Sequence, residues 1–275
     1  MSVHDQPDLL SHVVLVRADS ALDDTRPRLG REIHALFLSL IAQVDGSLAG
    51  LLHDSPALKP FAVSPLVWER PPWAWFRFAM YAPTVGEAYL EALLRGHLRE
   101  IRLGKIVFTV ERVFQHPSEH PWARTSTYET LWRKHMCSPT RPDDRIRLEF
   151  LTPTTFRAEQ RTTPLPQPDL VFGSLLAKWN AFSPRPLNGA VTAYASAGLS
   201  VTRYALETEM LDLGRNRRQV GFCGVCEFAG AKGHEEDLRA IRMLADYSFF
   251  AGVGYKATMG MGMVMPVWSR NGKNR

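Results

Sequence analysis

Phe249-Phe250-Ala251-Gly252-Val253-Gly254-Tyr255-Lys256-Ala257-Thr258-Met259-Gly260-Met261-Gly262-Met263-Val264 is the stretch on which the reading of this chain turns. Two Gly-x-Gly pairs flank a lysine and a threonine. Glycine admits positive φ and lets another molecule approach the main chain closely. A run of exposed N–H groups beside a lysine suits phosphate oxygens. Gly252 to Ala257 also satisfies the dinucleotide pattern G-x-G-x-x-A, but that pattern must follow a strand and open a helix inside a βαβ unit. Here it follows a helical run, Glu235 to Phe250, and precedes a strand-like run, Met261 to Trp268. A nucleotide cofactor is therefore the weakest reading. Contact with an RNA backbone and a purely structural turn remain.

Working outward, the same order of elements occurs twice. Ser11 to Arg17 is β-branched and apolar, as a buried strand is. Leu29 to Val44 carries Ile33, Phe37, Leu40, Ile41 and Val44 at helical spacing. Leu51 to Pro60, interrupted by two prolines, reads as a loop. Phe61 to Leu66 and Trp73 to Met80 read as strands, Val85 to Arg99 as a helix and Lys105 to Phe114 as a strand. A polar crossing, Gln115 to Pro142, follows. The second copy has strands at Arg145 to Leu151, Leu199 to Leu211 and Gln219 to Phe228, helices at Pro168 to Phe182 and Glu235 to Phe250, and the closing strand. The pattern β-α-β-β-α-β, repeated, predicts an α+β fold of two tandem ferredoxin-like (RRM-like) domains, residues 1–140 and 141–275. A cleft between two such sheets would suit an extended ligand, and RNA-recognition modules share the topology.

Composition permits this. Of 275 residues 45% are hydrophobic, and Lys plus Arg (33) exceed Asp plus Glu (28), for a formal net charge of +5. That is compatible with nucleic acid without demanding it. Cys137, Cys223 and Cys226 make no disulfide framework, and Cys223 and Cys226 fall in a strand where their side chains point to opposite faces. His116, His120, His135 and Cys137 match no zinc spacing. We expect no metal and no cofactor. The opening residues have no basic start followed by an apolar core. The longest apolar stretch, Ile33 to Ala42, is too short for a bilayer. The expectation is a soluble, cytoplasmic protein with no membrane partner.

Gly252 to Gly262 resembles the glycine-rich loop of the CRISPR-associated, repeat-specific endoribonucleases of the RAMP superfamily. Four other pieces resemble that family in the same order: His53-Asp54 with Lys59-Pro60-Phe61-Ala62-Val63-Ser64; His120-Pro121-Trp122 with Ser126-Thr127-Tyr128; Leu151-Thr152-Pro153-Thr154-Thr155-Phe156-Arg157; and Phe172-Gly173-Ser174-Leu175-Leu176. Together they cover most of the chain. The resemblance implies metal-free cleavage of CRISPR repeat RNA. The ribose 2′-hydroxyl attacks the adjacent phosphate, giving a 2′,3′-cyclic phosphate and a 5′-hydroxyl. Such a reaction needs a base, an acid and positive charge at the phosphorane.

The family's catalytic histidine falls in the loop after the first helix, which makes His53 the first candidate. Lys59 matches a lysine that some members place near the scissile phosphate. Some members use a tyrosine from the first helix; this chain has none there and has His34 instead. For RNA binding the resemblance points to Gly252, Gly254, Lys256, Thr258, Gly260 and Gly262. Arg215, Arg217 and Arg218 crowd the hairpin turn of the second domain, and Arg157 is a further candidate, with Arg145, Arg147 and Lys178 behind it. Phosphate contacts of this kind weaken with salt. If the loop serves RNA, alanine at Gly254 and Gly260 should weaken binding more than it lowers the melting temperature. The partner implied is CRISPR repeat RNA, with room left for interference-complex subunits and for a homodimer. The competing reading is a non-catalytic RNA-binding subunit of an interference complex, separated from the first by the His34, His53 and Lys59 set.

Overall fold

A computed structural model describes residues 7–19, 27–55, 58–158, 161–213, 218–231 and 233–268. The chain divides into two units. The first is Met1–Tyr128 with Leu213–Arg217 and Lys256–Met261. The second is Glu129–Asp212, Arg218–Tyr255 and Gly262–Arg275.

The first unit runs β1 (Leu9–Ala18), α1 (Gly30–Ala42), α2 (Gly46–Asp54), β2 (Phe61–Val63), β3 (Val67–Trp68), β4 (Trp73–Met80), α3 (Pro83–Leu94), β5 (Glu100–Leu103), β6 (Ile106–Phe114) and β7 (Arg124–Ser126). Its sheet has the order β2-β4-β1-β6-β5, with β3 on β4 and β7 on β1. Every pairing is antiparallel. Without β5 this is the ferredoxin-like order. Alternation along β1 turns Leu10, Val14 and Val16 toward α1 and α3, where Ile33, Phe37, Leu40, Ile41, Val85 and Tyr89 complete one core. Phe37 stacks on Phe61 with ring centroids 4.5 Å apart and meets Phe78 at 5.1 Å. Such pairs add about 0.5–1.5 kcal/mol beyond area burial.

The second unit runs α4 (Tyr128–Met136), β8 (Arg145–Thr154), β9 (Phe156–Ala158), β10 (Arg161–Thr163), α5 (Pro168–Phe182), α6 (Ala190–Gly198), β11 (Leu199–Asp212), β12 (Arg218–Gly230), α7 (Glu235–Ala251) and β13 (Val264–Val267). Its four-stranded sheet has the order β11-β12-β8-β13, again antiparallel. Counting the four core strands in chain order, both units read 2-3-1-4. The core of this unit sets Ile146, Leu148, Phe150, Phe172, Trp179, Phe228 and Tyr247 in full burial. The chain is two ferredoxin-like modules in tandem. Among the described residues, no helix is long and apolar enough to cross a membrane.

Three local expectations are corrected. Leu51 to Pro60 is not all loop: α2 extends through Asp54, capped by Asp45, whose side chain accepts from Leu48 N at 2.9 Å. The prolines lie past the end of this helix rather than within it. The helix expected to reach Arg99 stops at Leu94, and the next residues form β5, hairpinned to β6. The polar crossing contains α4, anchored by buried Leu131.

Candidate active site

His34 lies one turn into α1, on the margin of the face that buries Ile33 and Phe37, and is only 7% exposed. Its ring stacks on Phe61, with centroids 5.6 Å apart and planes at 25°. Its Nδ1 is 2.8 Å from the carbonyl oxygen of Thr258. A carbonyl can only accept, so Nδ1 donates, and the neutral ring carries its lone pair on Nε2. Burial holds the His34 pKa below the ordinary imidazole value. The bond to Thr258 opposes this, and the nearby charges of Lys59 and His53 reinforce it. The ring is therefore neutral at neutral pH, with a defined tautomer.

Lys59 and His53 lie near enough to His34 for their charges to act on its ring, all three within the first unit. His53 occupies the last turn of α2 with its side chain exposed. The Lys59 ammonium donates to the His53 carbonyl at 2.9 Å, a cation on the negative end of a helix. Burial lowers the Lys59 pKa, against which Asp54 acts. The backbone of Lys59 is held in turn, since the Tyr81 hydroxyl donates to its carbonyl at 2.6 Å and Tyr128 donates to that of Tyr81 at 2.6 Å. Sequence reasoning did not name Tyr81, and it met Tyr128 only within the Ser126-Thr127-Tyr128 piece, without a role. Tyr81 follows β4 directly, and its aromatic surface and lone hydroxyl are those of any core tyrosine.

The glycine-rich stretch behaves differently from the expectation. Helix α7 ends at Gly252, and Lys178 donates to the carbonyls of Ala251 and Gly252 at 2.9 and 3.0 Å. Lys178 is buried and its pKa is pushed down by burial to about 7, so it is a helix-end clamp rather than a phosphate contact. The N–H groups of Val253, Tyr255 and Gly262 donate to Gly262 O, Thr155 O and Pro153 O. Those of Gly254 and Met263 donate to Ser174 Oγ and Thr152 Oγ1. Over these residues the main chain turns its donors inward, so these five N–H groups are not free to meet a phosphate. The glycines have a steric cause. A Cβ at Gly254 (φ 76°) would lie 2.4 Å from Thr155 O, and one at Gly262 (φ 67°) 2.0 Å from Val253 O. Between them a 3-10 turn, Ala257–Met259, belongs to the first unit. It packs Ala257 on Ala62 and Ala79 and presents the Thr258 carbonyl to His34. Gly252, Gly260 and Gly262 are buried; Gly254, Lys256 and Thr258 are partly exposed.

Arg157 is exposed and lies over the Tyr255 ring at 5.6 Å, its Nη1 donating to the phenol oxygen at 3.2 Å. Arg218 is exposed at the start of β12, while Arg215 and Arg217 lie outside the described residues. Cys223 and Cys226 are buried in β12, as a strand reading requires, and burial pushes the Cys226 thiol up to about 12. His135 is bonded to Asp246 at 2.6 Å.

Two family models match the chain. "CRISPR-associated endoribonuclease Cas6" covers residues 148–264, and "CRISPR Cas6 N-terminal domain" covers residues 24–74. A CRISPR-associated endoribonuclease Cas6 of Mycobacterium tuberculosis is 34% identical over 128 residues, 45% of this chain. The match spans 40% of that curated relative's length. Among solved structures, the Cas6 (TTHB231) product complex is 30% identical with a TM-score of 0.82, covering 94% of this chain and 99% of that one. A second structure, Thermus thermophilus Cas6 (TTHB231), is 28% identical with a TM-score of 0.74, covering 95% and 99%. The Cas6 (TTHA0078) product complex is 26% identical with a TM-score of 0.79, covering 94% and 99%. By fold, by both family models and by near-complete alignment to a 30% identical Cas6 structure, the chain belongs to the CRISPR-associated endoribonuclease Cas6 family.

Proposed function

We propose that this protein is a cytoplasmic endoribonuclease that cleaves CRISPR repeat RNA by attack of a 2′-hydroxyl, with His34 as the base. The observation that carries this is the His34 ring, which is buried, neutral, stacked on Phe61 and fixed by Thr258 O so that Nε2 holds the lone pair. Support also comes from relatives described as product complexes. Nε2 of His34 takes the 2′-hydroxyl proton as the oxygen attacks phosphorus. The Lys59 ammonium balances the charge that builds on the phosphorane. His53, exposed beside them, gives a proton to the departing 5′-oxygen. The products are a 2′,3′-cyclic phosphate and a 5′-hydroxyl, and protonated His34 and neutral His53 exchange a proton through solvent to reset the site. Lys256, Arg157 and Arg218 supply exposed or half-exposed charge for RNA phosphates.

The test is incubation of the protein with the repeat RNA of its own genome in EDTA, with the cut and its end groups mapped. Cleavage to a cyclic phosphate, abolished in His34→Ala while RNA binding persists, is the expected result. Full cleavage by His34→Ala sinks the assignment of the base, and loss of cleavage in EDTA sinks the metal-free route. Tight binding without any cleavage by the wild-type protein would establish the competing reading of a non-catalytic interference subunit.

A further inference from the structure

Beside the glycine-rich stretch the second unit has a hollow of about 350 Å³, lined by Phe156, Arg157, Asp169, Ser174, Gly254 and Tyr255 among others. Sites for small ligands range over about 300–1,000 Å³, so one flat heterocycle fits and a folded RNA segment does not. Two planar groups border it. The Arg157 guanidinium lies over the Tyr255 ring and donates to its hydroxyl, which keeps both planes in place. Unpaired RNA bases are held on such aromatic and guanidinium planes and read along their Watson–Crick edges. The floor is rigid. Ser174 accepts from Gly254 N at 3.2 Å and donates to Val171 O at 2.9 Å, and a side chain at Gly254 would collide with Thr155 O.

The remaining polar group is the Asp169 carboxylate, in the first turn of α5. It has no hydrogen-bond or ion-pair partner among the described residues, although Arg157 lines the same hollow. A carboxylate only accepts, at two oxygens about 2 Å apart. It is matched best by two adjacent N–H donors. Of the four RNA bases only guanine offers that pair, N1–H and the 2-amine. Uracil sets carbonyls on both sides of its single N–H, and adenine and cytosine each set a ring acceptor beside their amine.

We propose that this hollow is a base pocket that selects an unpaired guanine of the RNA through Asp169, with Arg157 and Tyr255 as its stacking planes. This rests on the RNA-cleaving reading and deepens it, since it assigns sequence selection to a side chain in α5 rather than to the glycine main chain. A carboxylate near RNA with no base partner would only repel phosphates, so its removal would tighten binding. A carboxylate that reads guanine has the opposite sign.

The experiment uses full-length protein and the repeat RNA with the 2′-hydroxyl removed at the mapped cleavage position, so that binding is measured without cutting. Each guanosine is replaced in turn by inosine, which lacks the 2-amine. Wild-type protein should lose about tenfold in affinity at one unpaired guanosine. Asp169→Asn should bind the unmodified RNA more weakly and show no further loss at that position. Tyr255→Leu should weaken the same RNA while melting as the wild type does. Uniformly tighter binding by Asp169→Asn overturns the proposal, as does a set of inosine penalties that is the same in both proteins. If the wild-type protein binds no repeat RNA at all, the endoribonuclease reading itself fails, a result distinct from binding without guanine selection.

Discussion

The two units share a strand order and use it in opposite ways. In the first, the segments after β1 carry reactive side chains: His34 on α1, His53 at the end of α2 and Lys59 just before β2. In the second, Gly252, Gly254 and Gly262 spend their donors on the protein's own carbonyls and a hydroxyl. A topology therefore fixes where connections emerge and leaves open whether a connection holds chemistry or shape. The 3-10 turn joins the two uses, because a carbonyl from the glycine-rich stretch sets the tautomer of the first unit's histidine.

The largest effect should fall on the first unit's buried histidine. General acid–base groups contribute about 10²–10⁴-fold, and a base of fixed tautomer lies at the upper end. His34→Ala should lower the single-turnover cleavage rate by about 10³-fold or more. On the acid side the wild-type rate should rise with pH and complete that rise below pH 6.5, because burial lowers the His34 pKa and only the neutral ring is a base. A rate that keeps rising well above pH 7 would exclude His34 from that role. His53→Ala and Lys59→Ala should each cost about 10- to 100-fold. A larger loss from His53→Ala than from His34→Ala would reverse the order of importance argued from burial and orientation.

The second unit's glycines should break stability before they break catalysis. Gly254→Ala and Gly262→Ala each force a Cβ onto a carbonyl oxygen at positive φ. Such strain costs about 1–3 kcal/mol, read as a drop in urea midpoint with unchanged slope. This replaces the expectation that alanine at Gly254 would act chiefly on RNA binding. A variant that melts normally and binds poorly would restore it.

The β-branched, apolar run of β1 and the alternation along β8 made those strands readable from the sequence, β4 and β11 were placed as strands with them, and α5 was readable to the residue because its apolar spacing and opening proline agree. α2 was hidden by Pro56 and Pro60, which follow the helix but colour the whole window. α4 was hidden by the polar and charged residues that surround Leu131. At the site, His34, His53 and Lys59 are residue types that chemistry demands, so they could be nominated in advance. What could not be read is which histidine is oriented, since that depends on the carbonyl of Thr258, 224 residues away. A backbone oxygen leaves no mark on the sequence at such a distance.

The smallest effect separates the units by acid. His12, on β1, is 1% exposed and neither ring nitrogen has a partner among the described residues. Burial, then His116, lowers its pKa to about 4. The unfolded chain takes up a proton near pH 6.5 that the folded chain refuses, so stability falls as pH drops from 6.5 toward 4, by about 1 kcal/mol at pH 5.5. Asp246 in the second unit is equally buried but accepts from His135, Lys134 and Trp268 at 2.5–2.6 Å. Burial pushes this carboxyl up, and His135 and Lys134 outweigh it and carry the pKa down to about 2. The stability it confers is present above its unfolded value near 3.8 and is lost only as pH falls toward 2. Hydrogen exchange at pH 5.5 should therefore show loosened amides in β1 and α3 while those of α7 stay protected. His12→Leu should remove the difference at pH 5.5 and leave exchange at pH 7.5 nearly unchanged; equal loosening of both units in the wild type would show that buried polar groups are not what sets their acid response.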